Sequence, residues 1–183
     1  MAKLFIVLFV LAIITYARAV SVDVNSLKIR DGGDPITAIV YNETAFCSFL
    51  PRTPGQDIGT SESDAVVFCS AHFVQFPNVN IFPDGFIHTM YYASGDGYVQ
   101  ITGLINGNVY TSPQDGGGQY DTKAPVGASC YGYDSFVNLV EPNIEGSDYG
   151  HFCIRCCDKT ASDKCDVSKS TLGCVNIVQG TYE

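Results

Sequence analysis

The sequence predicts an all-β protein: one β-sandwich or small β-barrel, stapled by disulfides, behind a cleaved signal peptide. Three observations carry that expectation. Short runs rich in β-branched and aromatic residues alternate with Gly, Pro, Asn and Asp turns. No segment sustains a 3.6-residue apolar face. Eight cysteines sit in 183 residues, an even number that suits a disulfide framework in an exported chain.

The first nineteen residues set the compartment. Met1-Ala2-Lys3 is a short basic start, Leu4 to Ile14 is unbroken apolar sequence, and Ala17-Arg18-Ala19 has the small-x-small pattern of a cleavage site. Eleven apolar residues span about 16 Å as a helix, half of a ~30 Å hydrocarbon core, so the segment is a leader and not an anchor. The expected arrangement is a signal peptide over 1–19 and one secreted β-rich domain over 20–183, with 20–45 as an optional N-terminal extension. Loss of Lys3 and Arg18 takes the formal charge from −9 to −11 and leaves all eight cysteines in place.

Composition narrows the partners. Charged residues make up only 16% against roughly 25% in an average domain, with 46% hydrophobic and 12% aromatic, which excludes a disordered tail. The acidic balance argues against nucleic acid and against anionic membranes. The expected partner is an extracellular glycan or protein, with no cofactor and no metal.

Strands are expected over 22–29 and 36–41 around Gly32-Gly33-Asp34-Pro35, then over 46–50, with a polar surface loop over 51–64 and a strand over 65–69. Asn42-Glu43-Thr44 is the chain's one Asn-x-Ser/Thr sequon and makes Asn42 the candidate glycosylation site. The clearest signal is a hairpin, 85–93 and 98–105 around Ser94-Gly95-Asp96-Gly97. Residues 111–129 read as turns, 131–140 as a strand, 151–157 as the last long strand, and the tail as loop held by cysteines.

The cysteines are Cys47, Cys69, Cys130, Cys153, Cys156, Cys157, Cys165 and Cys174. Three precede the C-terminal cluster of five, so if all pair internally an odd number of bridges must join the groups. Cys156 and Cys157 diverge in extended backbone and should take different partners. Along that strand Phe152, Ile154 and Cys156 share the face turned to the core, while Cys153 and Cys157 staple the opposite face. Zinc is the rival use of Cys153-x2-Cys156 with Cys165 and Cys174, but the second C-x2-C of a zinc ribbon is missing.

Candidate ligand contacts are Tyr91, Tyr92 and Tyr98 on the hairpin and Asp115, Gln119, Tyr120 and Asp121 around the triple glycine. Aromatic rings cover the C–H faces of sugars while carboxylates and amides accept from hydroxyls, so these residues, placed side by side, point to carbohydrate. Tyrosine also favours half-buried strand positions for packing alone. The glycine run lacks the lysine and spacing of a nucleotide loop, and its flanking aspartates lack the ligand series of an EF-hand.

The run Gly116-Gly117-Gly118-Gln119-Tyr120-Asp121, the Tyr131-Gly132-Tyr133 segment ending in Glu141-Pro142, and Cys153-Ile154-Arg155-Cys156-Cys157-Asp158 together resemble small secreted cysteine-rich proteins of fungi. The likeness runs from about Phe46 to the C-terminus. It implies an exported single domain and supplies no catalytic residue. No G-x-S-x-G or H-E-x-x-H occurs, so the expectation is a non-enzymatic secreted binding or surface-associated protein. The alternatives are a protein-directed effector or inhibitor and a small hydrolase.

Overall fold

The computed structural model describes residues 36–73 and 79–183. The leader over 1–19, the strand over 22–29 and the Gly32–Pro35 turn lie outside the described residues.

Among the described residues ten strands form two five-stranded sheets, and neither closes into a barrel. The first sheet contains β1 (Thr37–Asn42), β2 (Ala45–Leu50), β3 (Val66–Cys69), β4 (Asn80–Ile81) and β8 (Ser129–Cys130), in the order β4-β3-β2-β1-β8. The second contains β5 (Ile87–Gly95), β6 (Tyr98–Ile105), β7 (Gly118–Asp121), β9 (Ser135–Glu141) and β10 (Gly150–Cys157), in the order β5-β6-β10-β9-β7. The hairpin forms as expected, with Gly95 opposite Tyr98 around Asp96-Gly97, where Gly97 takes φ +75°.

β10 is the interior strand the sequence anticipates, antiparallel to β6 on one side and β9 on the other. Its alternation divides the molecule. Phe152, Ile154 and Cys156 enter the core between the sheets, where Phe46 meets Phe152 and Phe49 stacks on Phe136. Cys153 and Cys157 face the other way, into a smaller cluster with Ala161, Cys165, Cys174 and Val178.

That outer cluster is roofed by the tail, which is more ordered than the expected loop. Two 3-10 stretches, Lys159–Cys165 and Val167–Leu172, begin where Asp158 and Asp166 accept backbone N–H bonds, and a four-residue helix, α1 (Cys174–Ile177), follows. Four disulfides form: Cys47–Cys69, Cys130–Cys156, Cys153–Cys174 and Cys157–Cys165. One of them, Cys130–Cys156, joins the two cysteine groups, the odd number that pairing required, and the adjacent cysteines do take different partners.

Two elements depart from the sequence reading. Gly118–Asp121 is a strand paired with β9, not part of a turn region. The expected strand over 131–140 begins only at Ser135, because Gly132 takes φ +79° and the Tyr133 N–H donates back to the Cys130 carbonyl.

Candidate functional site

The structure separates the residues that the sequence grouped. Tyr91 and Tyr92 lie on β5 and Gln119, Tyr120 and Asp121 on β7, the two opposite edges of one five-stranded sheet. Four strand spacings, roughly 19 Å, lie between them. The glycine segment is therefore not beside the hairpin.

Several of those side chains are also committed to structure. Tyr120 is fully buried, its hydroxyl 2.7 Å from Ser61 Oγ, and burial pushes its phenol well above the usual range. Asp121 is buried and accepts from the N–H groups of Lys123 (2.6 Å) and Ala124 (3.3 Å). Asp115 accepts from Ile58 N–H (2.7 Å) and Gly117 N–H (2.9 Å), tying the glycine turn to the loop after β2. Tyr98 carries the Arg155 guanidinium and the Lys164 ammonium, each 4.9 Å from its ring centre. Tyr91 donates from its hydroxyl to the Glu183 carbonyl at 3.0 Å. The reason is strand alternation: neighbours in sequence face opposite sides of the sheet, so Tyr92 and Tyr91 part company, as do Tyr120 and Gln119.

Tyr92 does find aromatic company, but with residues outside the hairpin. β1 packs against β6 and β5 while β8 packs against β9. Tyr41, Tyr131 and Tyr133 lie partly buried at the margin of the core, and Tyr92 is near Tyr133. Tyr41 and Tyr131 have ring centres 6.3 Å apart. Burial, and then Tyr131 nearby, raise the Tyr41 phenol; burial, then Tyr92 and Asp158, raise that of Tyr133. All four rings retain solvent exposure, with Tyr92 at 36%.

Backbone bonds hold this strip rigidly. Tyr131 N–H donates to Ala38 carbonyl (2.8 Å), Asp134 N–H to Cys157 carbonyl (3.0 Å), and Cys130–Cys156 clamps the segment to β10. Tyr131 and Tyr133 line a groove of about 410 Å³ with Thr122, Ser129 and Asp134 also among its walls. Hydroxyls and a carboxylate thus flank aromatic faces. The sequence reading missed Tyr41 and Asp134 here; the Tyr-Gly-Tyr spacing was the available signal for the other two.

Other chemistry is more constrained. All eight cysteines are bridged, which leaves no thiolate nucleophile and no thiolate zinc ligand. Among the described residues no cluster of His, Cys, Asp and Glu could hold a metal ion, and no helix is long and apolar enough to cross a membrane. His88 stacks on Tyr149 at 3.8 Å and His151 lies 3.7 Å from Glu141. Asn42 sits at the β1–β2 turn, where its Oδ1 accepts from the N–H and hydroxyl of Thr44, both at 2.9 Å.

With this geometry in view, comparison with known proteins adds little to function. The chain is 25% identical over 160 residues to appressorium protein ROW1 of Mycosarcoma maydis, a match covering 80% of this chain. It spans only 37% of that protein's length. No protein-family model matches, and no solved structure matches. The relative is fungal, in keeping with the resemblance drawn from the cysteine and glycine motifs.

Proposed function

We propose that the chain is a secreted, non-enzymatic binding protein whose ligand is carbohydrate, and that it is taken up along the Tyr92–Tyr133–Tyr131–Tyr41 strip. The observation that carries this is a row of partly exposed tyrosines, on a backbone clamped by a disulfide, beside a groove walled by hydroxyls and a carboxylate. Fixed rings lose little freedom when a sugar stacks on them, which favours binding. Four disulfides suit an oxidising extracellular setting, and Asn42 is the expected attachment point of an N-linked glycan. The hairpin and the glycine turn no longer form one site in this reading; of the hairpin tyrosines only Tyr92 belongs to it.

A polysaccharide pull-down followed by titration tests it. Tyr133→Ala and Tyr131→Ala should each weaken binding about 10-fold, as expected for truncating an aromatic anchor. Tyr91→Ala, on the other face of β5, should change nothing. Absence of binding to every neutral polysaccharide tried removes the sugar reading in favour of a protein partner.

A further inference from the structure

We infer that a second cleft, at the β7 edge, is a binding site for a ligand that carries a protonated amine among hydroxyl or other donor groups. It goes beyond the tyrosine strip and stands independently of it.

The cleft measures about 410 Å³ and lies between β7, the end of β9 and the second 3-10 stretch of the tail. Its floor is the backbone of Gly116, Gly117 and Gly118; its walls include Glu62, Gln119, Glu141, Ser170 and Thr171. Two of these glycines are required by close packing against their neighbours. Gly117 takes φ +92°, and a Cβ on Gly118 would lie 2.9 Å from Gly59 N. Side chains at Gly117 and Gly118 would push β7 away from β9 and from the Gly59 loop.

Three features make the walls an acceptor set awaiting donors. Gln119 Oε1 is buried and has no hydrogen-bond partner among the described residues. A buried acceptor left unsatisfied destabilises the fold, and an N–H or O–H brought within reach of it offsets that loss. Glu62 lies in a negative field: burial first, then the Asp121 charge, raise its carboxyl above the ordinary value. Glu141 is already fixed in place, its Oε2 accepting from Cys174 N–H at 3.1 Å. No lysine or arginine is among the lining residues.

Anions are therefore rejected by the two carboxylates. A neutral sugar could satisfy Gln119 but would leave the field unanswered. An ammonium group answers both, and the Ser170 and Thr171 hydroxyls can bond whatever polar groups surround it. Such an amine could be carried by an amino sugar or by a lysine side chain.

Titration calorimetry on the full disulfide-bonded chain, at moderate salt, tests this with three probes: a glucosamine trimer, its N-acetylated counterpart, and trilysine. At least one amine probe should bind saturably, and the N-acetylated trimer at least 10-fold more weakly. Glu62→Gln and Gln119→Leu should each weaken the amine at least 10-fold. Tyr133→Ala should not, which keeps failure here distinct from failure of the tyrosine strip. Gln119→Leu removes the orphan acceptor at similar volume, so an unchanged or raised melting point shows that its loss of binding is not loss of fold. Glu145→Gln removes an equal charge from an exposed site elsewhere and should leave affinity unchanged. Which amine binds identifies the source. The inference is overturned if neither amine binds saturably, if acetylation makes no difference, or if Glu145→Gln weakens binding as much as Glu62→Gln.

Discussion

The inner face of β10 lies between two sheets and is held by apolar packing, whereas its outer face lies under a short, irregular tail and is held by bonds. On the inner side Phe152 and Ile154 are fully buried among Phe46, Phe49, Phe136 and their neighbours. A buried polar link there is Asn138 on β9. Asn138 accepts from the Ser48 hydroxyl (2.9 Å) and donates to the Cys153 carbonyl (2.9 Å), bonding one sheet to the other. On the outer side two of the four disulfides, Cys153–Cys174 and Cys157–Cys165, secure only about twenty-five residues of tail. There Arg155, buried, donates to Gln100 Oε1 (2.8 Å) and to the carbonyls of Lys164 (2.9 Å) and Ile177 (3.2 Å). The difference teaches that paired sheets bury enough surface to rest chiefly on packing, which one bridge, Cys130–Cys156, reinforces from the inner face. A few 3-10 turns do not, so the tail depends on covalent and charge-assisted links.

The largest effect that would sharpen this contrast comes from the bridge that enters the core. Cys130–Cys156 spans 26 residues and Cys157–Cys165 only 8; on the chain-entropy view these contribute about 3–4 and about 2.5 kcal/mol. Cys156→Ser should lower the thermal midpoint by roughly 10 °C, given about 2–4 °C per kcal/mol for a chain of this size. Lys159, an exposed side chain 3.9 Å from Asp134, is the reference: Lys159→Ser should shift stability by no more than about 0.5 kcal/mol. Equal midpoints for the two variants would show that β10 is not the staple of the fold.

Next in size is the latch on the tail. Arg155→Met removes three hydrogen bonds and the cation from the Tyr98 ring but keeps most of the packing. The amides of Ala161, Gly173 and Val178 should then exchange about 10- to 100-fold faster, the loss of one or two charge-assisted bonds, while those of β6 and β9 stay protected. Uniform acceleration through both sheets would erase the distinction between the two regions.

The smallest effect is seen at high pH, where each region holds a tyrosine with a raised phenol, Tyr120 fully buried and Tyr182 partly buried. Burial raises the phenols of Tyr120 in the core and of Tyr182 under the tail above the ordinary value. The folded state favours the neutral form, so this contribution is complete below the unfolded value of about 10 and is lost as pH rises through the folded one. An absorbance titration should show these two phenols ionising late, together with unfolding, and Tyr120→Phe and Tyr182→Phe should each remove one late step. Ionisation of all tyrosines near pH 10 in a folded chain would contradict the burial of Tyr120 and the partial burial of Tyr182.

Much of this architecture is legible from local pattern. The hairpin around Asp96-Gly97, the strands over 36–41, 46–50 and 65–69, and the inward and outward faces of β10 all follow from alternation and turn chemistry, which act within a few residues. Segment 118–121 was not legible as a strand, because four residues behind three glycines carry turn composition, and only β9 supplies their partners. The ligand set fared worst for the same reason. Nearness in sequence suggested that Tyr91, Tyr92 and the Asp115–Asp121 segment were neighbours, and sheet order put them on opposite edges.

What the sequence by itself determined, then, is class and covalent logic: β structure from period-two patterning, four bridges from an even cysteine count, and an odd number of links between the two cysteine groups. Tertiary structure alone decided which cysteines pair, that Tyr92 joins Tyr133, Tyr131 and Tyr41, and that Gln119 lines a cleft while Tyr120 beside it is sealed in the core. The physical reason is that strand order and sheet packing bring together residues from distant parts of the chain. Those contacts are set by the whole apolar surface buried at once, which no short stretch of sequence encodes.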